Sequence, residues 1–144
     1  MINDDTIELL KECNAGIKMG VSSIDEVLDN VSNSELKEIL TKSKKEHEAL
    51  GDKTHSLLNE YHDTGKEPSI MAKGMSWIKT NIMIAVKESD STVADLITDG
   101  CNMGTKSLNR YLNKYEAAEE IAKDIAKKLI SIEDTLVLDI RKFL

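Results

Sequence analysis

The chain has 144 residues, a formal net charge of −7 and a pI near 5.0. An acidic surface repels phosphate backbones, which argues against a nucleic-acid binder. With 40% hydrophobic and 31% charged residues, the composition is that of a folded domain rather than a disordered chain, and the length suits one domain over residues 1–144. Aromatic residues make up only 3%, so the core has to be built from Leu, Ile, Val, Ala and Met.

The first segment carries apolar residues at alternating steps of three and four, including Leu10, Ile17, Ile24 and Val31, with Asn14 on the same stripe. That spacing predicts a helix over 5–30 with one inward face. Asp4, Asp5 and Glu8 place negative charge at its start, which suits the helix dipole. The start has no basic run followed by an apolar one, so no secretory leader is expected, and a cytoplasmic location follows. No stretch approaches the ~20 apolar residues of a membrane span. Cys13 and Cys101 form no CxxC motif and are expected to be buried, reduced thiols.

Ser32 followed by Glu35 has the spacing of a capping box for a second helix. Its stripe runs Leu36, Leu40, Ser43, His47, Leu50, Thr54, Leu57 and Tyr61, and ends before a loop marked by Gly65 and Pro68. So short a link between the first two helices makes them antiparallel neighbours. Their middle rungs then form a central polar layer of Asn14, Ser43 and His47, with His47 hydrogen-bonded to Asn14 or Ser43.

Residues 70–86 are apolar on more than one face. Met71, Met75 and Ile78 lie on one stripe, and Trp77 and Ile84 lie off it. This predicts a short crossover helix covered on two sides, with Met71, Met75, Trp77 and Ile84 as the self-association surface of a homodimer.

Asp90 and Ser91 can cap the next helix, whose stripe is Val93, Ile97, Cys101, Gly104, Leu108, Tyr111 and Tyr115. Gly100 and Gly104 sit one turn apart at its middle, where they mark either close approach of another helix or room for a ligand. A last helix is predicted over 116–142, with Ile121, Ile125, Leu129, Ile132, Leu136, Ile140 and Phe143 on its inner face. A break near Lys114 separates it from the one before, although no Gly or Pro marks the place.

A carboxylate-bridged metal site in a bundle needs inward Glu residues and Glu-x-x-His motifs. The chain has no Glu-x-x-His, and the only candidate ligands are Glu46, His47 and Glu133.

Three stretches, Ser34 to Leu40, Gly65 to Pro68 and Gly74 to Lys79, resemble a bacterial four-helix-bundle family, the domain of unknown function 2383 group, placed with the ferritin-like superfamily. The resemblance implies a ferritin-like antiparallel four-helix bundle with an additional short crossover helix. It also implies iron bound by bundle carboxylates, a carry-over that reaches only Glu46 and Glu133. Where relatives place histidines this chain has Ala49 and Leu136. Fold and residues together predict a non-catalytic, self-associating structural or binding module without a cofactor. The alternatives are an iron-dependent redox protein, and a small-molecule binder using the space beside Gly100, Gly104, Asn14 and His47.

Overall fold

The computed structural model describes residues 3–61 and 89–144, which are all-α. Four helices, α1 (Asp4–Leu28), α2 (Ser34–Glu60), α3 (Ser89–Lys114) and α4 (Glu120–Ile140), are followed by a 3-10 turn, Arg141–Phe143. Residues 62–88 lie outside the described residues, and with them the predicted crossover helix and Met71, Met75, Trp77 and Ile84. Among the described residues no helix is long and apolar enough to cross a membrane.

Both helix starts in the first half are set by asparagine. Asn3 Oδ1 accepts the Thr6 N–H at 2.8 Å, and Asn33 Oδ1 accepts the Leu36 N–H at 3.0 Å. The capping box predicted from Ser32 and Glu35 is therefore replaced by an Asn cap one residue later, a residue type at least as good for the position. Glu35 instead pairs with Lys142. The Ser32 and Asn33 amides donate to the two carboxylate oxygens of Asp90, at 2.8 and 3.0 Å. Asp90 lies inside α3 and not before it, so its carboxylate ties down the α1–α2 turn.

The break between α3 and α4 is real and has the same kind of cause. The first turn of α1 reaches across to it. Asp5 Oδ2 accepts the Ala117 N–H at 3.1 Å, and Thr6 Oγ1 accepts the Glu119 N–H at 2.8 Å. Asn3 Nδ2 also donates to the Ala117 carbonyl at 2.9 Å. These bonds satisfy amides that a continuous helix would have used internally. The last helix consequently starts at Glu120. Ile121 is turned outward at 38% exposure, and Ala118 and Ala122 take the inward places.

These ties give the topology. The start of α1 sits with the α3–α4 turn at one end of the bundle. Its end sits with the start of α3 at the other. α1 and α4 thus run one way and α2 and α3 the other, an up-down-down-up order in which α2 ends and α3 begins at opposite ends. α1 touches all three other helices and is buried nearly all round from Glu12 to Ala15.

Two apolar clusters fill the ends. One holds Leu9, Leu10, Ile17, Leu58, Ile125 and Leu129. The other holds Ile24, Val27, Leu36, Leu40, Leu136 and Ile140. Of the residues on the apolar stripes, Ile17, Ile24, Leu40, Leu50, Leu108 and Leu129 are all buried, whereas Leu57 and Tyr115 are only partly so.

Candidate functional site

Between the two clusters the bundle changes character. His47 is buried in the middle of α2, and its Nδ1 donates to the Ser43 carbonyl at 2.8 Å, the Ser43 hydroxyl lying 3.5 Å away. A carbonyl can only accept, so the bond fixes the proton on Nδ1 and leaves Nε2 to face across the bundle. What it faces is Glu133 of α4, with Oε1 4.0 Å from Nε2. That is ion-pair distance rather than a hydrogen bond.

Glu133 is only 6% exposed, and its Oε2 has no hydrogen-bond partner among the described residues. Burial pushes this carboxyl above its usual range, and the facing imidazole opposes the shift only in part. The packing that allows the pair comes from two glycines. A Cβ on Gly20 would lie 2.8 Å from the His47 ring, and one on Gly104 would lie 2.6 Å from Glu133 Oε2. Gly104 therefore makes room for a carboxylate. Gly100 is different, since a Cβ there would meet nothing within 4 Å among the described residues.

Gly100 is itself exposed, on the open side of a cavity of about 390 Å³ between α1 and α3, floored by α4. From α1 it is lined by Glu12, Ala15, Gly16, Met19, Gly20 and Ser23. From α3 come Leu96, Gly100, Met103, Gly104, Ser107 and Tyr111, and below lie Leu129, Glu133 and Leu136. Small residues on both facing helices leave the gap. Apolar side chains make most of the wall, with Met103 exposed at the edge. A second pair lines the α1–α3 side. Glu12, only 5% exposed, accepts from the Tyr111 hydroxyl, and that bond, with burial, pushes the phenol up to about 12. Cys101 lines the same space, and burial beside Glu133 pushes its thiol up as well. Cys13 is pushed up to about 12 by burial, with Glu12 adding to the effect. Both cysteines are free, and neither is a ready nucleophile.

The structure thus brings His47, Ser43 and Glu133 together and separates them from the remaining candidates. Asn14 is buried, but its Nδ2 has no partner among the described residues, and no hydrogen bond links it to His47 or Ser43. Glu46 is exposed in a separate groove between α2 and α4, beside Lys53, Asp124 and Lys128. Glu133 and Glu12 both face inward, although hydropathy alone places them on the surface. Glu12, Gly20 and Tyr111 were missed as site residues. The available signal was a second stripe on the first helix, Glu12, Gly16, Gly20 and Ser23, running beside the apolar one.

The donors present do not fit the two-iron site that the resemblance implies. Glu46 points away from the pair, and Ala49 and Leu136 stand where histidines would be needed. Among the described residues no group of three or more His, Cys, Asp or Glu is placed to hold a metal ion. The site offers an apolar slot with a buried carboxylate, an oriented imidazole and a phenol on its walls.

No protein-family model and no curated protein matches the sequence. Among solved structures the chain is similar to the crystal structure of a DUF305 fragment from Deinococcus radiodurans, with a TM-score of 0.77 over 98% of this chain and 95% of that one. At 7% identity the likeness shows the fold alone, an all-α four-helix bundle.

Proposed function

We propose that this chain is a non-catalytic, ferritin-like binding module that holds a small, largely apolar molecule between α1 and α3. The up-down-down-up order supports the ferritin-like reading, because that arrangement needs one long connection between its two hairpins. The same reading carries the resemblance to the 2383 group. The observation that carries the function is the cavity itself, about 390 Å³ in a bundle whose two ends are close-packed. That volume lies within the range of ligand pockets. Two buried thiols suit a cytoplasmic setting.

The test is a thermal-shift screen with small apolar probes against the parent chain and Gly100→Leu, which fills the slot. A ligand of the native state raises the melting temperature by mass action. The parent should respond and Gly100→Leu should not. A parent that responds to nothing, or a filled variant that responds equally, overturns the reading.

Self-association is a second reading, supported by the sequence of 70–86, whose apolar residues run round more than one face. On this reading Met71, Met75, Trp77 and Ile84 make a homodimer contact. A monomer by light scattering at high concentration would defeat it.

A further inference from the structure

Resting on the reading of the α1–α3 cavity as a ligand site, we propose that its occupant is a monocation, an apolar body bearing one ammonium group that pairs with the Glu133 carboxylate. Three observations converge. First, Glu133 is more than nine-tenths buried, lines the cavity, and has an oxygen without a partner among the described residues. A buried carboxylate left short of donors costs stability until something supplies one. Second, none of the described residues supplies it. His47 reaches no closer than 4.0 Å, and it approaches Oε1 while Oε2 is the unpartnered atom. Third, the described residues of the lining include two carboxylates, Glu12 and Glu133, beside the His47 imidazole, and no Lys or Arg is among them. Its field disfavours anions and favours cations, and the apolar walls strengthen that preference by keeping the dielectric low.

The rest of the slot sets the body of the molecule. Met19, Leu96, Met103 and Leu108 offer aliphatic and thioether surface, and the two methionines can adapt to a chain or a ring. Glu12 already accepts the Tyr111 hydroxyl, so it adds charge to the site without competing for the ammonium as an open acceptor.

Calorimetric titration with n-hexylammonium, n-hexanol and n-hexanoate at pH 7.5 tests this on the parent chain and on Glu133→Gln. The three probes share an apolar body and differ in the head. The expected result is that hexylammonium binds at least tenfold more tightly than hexanoate, with hexanol between them. In Glu133→Gln the preference for hexylammonium over hexanol should vanish. The variant removes a buried charge and keeps the shape, so it should stay folded, which a melting curve checks. Equal binding of all three heads overturns the cation proposal and leaves the cavity reading standing. Binding of none overturns the cavity reading, whether the slot is closed or filled by the chain's own apolar run. Selectivity that survives in Glu133→Gln shows that another group reads the head, and it too overturns the proposal.

Discussion

α1 meets two neighbours through seams that both contain glycine, and the two seams behave in opposite ways. Against α2, Gly51 is packed so closely that an added Cβ would stand 3.0 Å from Ile17 Cγ2. Against α3, Gly100 faces open space among the described residues. The residue across the seam makes the difference. Gly51 receives a large side chain, whereas Gly100 and Gly104 share their seam with Ala15, Gly16, Gly20 and Ser23. A glycine next to a bulky residue lets helices close, and small residues on both sides of one seam leave an open cleft between the helices.

Four substitutions break or sharpen this contrast. The largest effect is expected at Leu40, which is fully buried in the cluster that holds Ile24 and Leu36. Leu40→Ala should lower stability by ~2–5 kcal/mol in urea unfolding. A loss below ~1 kcal/mol would show that this end is no better packed than the cavity. Next comes Gly20→Ala, where the new methyl runs into the His47 ring. The ring is held by its bond to Ser43, so the clash should outweigh the helix-propensity gain and leave a net loss of about 1–2 kcal/mol. Gly100→Ala should do the reverse. With nothing to meet, the methyl contributes only its helix propensity, a gain of roughly 0.5–1 kcal/mol in the same assay.

The smallest effect is a slope rather than a step. Glu133 has a carboxyl held above its usual range, so its protonated form is the one the fold favours. The stability linked to it is present below the unfolded-state value, near pH 4, and is lost as pH rises through the folded-state value. Melting temperatures of Glu133→Gln should therefore match the parent at acid pH and exceed it at neutral pH. A parent that is the more stable at neutral pH would mean that the His47–Glu133 ion pair outweighs the burial of its charges.

Much of the bundle could be read from spacing, because three-four steps report directly which side of a helix is turned inward. That argument finds Leu10, Leu36, Leu40 and Leu129, and it finds His47, which occupies a rung despite being polar. It fails where burial and polarity part company. Glu12 and Glu133 are charged by type and inward by position, and only a neighbour on another helix, Tyr111 or His47, makes sense of each. Helix ends were legible to within a few residues. The side chains that fix the two turns could not be read off, because each comes from a helix more than fifty residues away in the chain. For the same reason the choice at Gly100 between close packing and space depends on what α1 places opposite, which no local pattern in α3 carries.

The two turns are held reciprocally. The first turn of α3 supplies Asp90 to the α1–α2 turn, and the first turn of α1 supplies Asp5 and Thr6 to the α3–α4 turn. Each hairpin can form from contacts near in sequence, but neither turn has its amides satisfied until the two hairpins dock in register. Docking therefore carries a molecular signature. The amides of Ser32, Asn33, Ala117 and Glu119 sit in loops, where hydrogen exchange is ordinarily fast, yet here they should exchange slowly and together. Their shared protection would measure the free energy with which one hairpin holds the other. Any event that pries the hairpins apart, including the opening a guest needs to enter between α1 and α3, should speed all four amides at once.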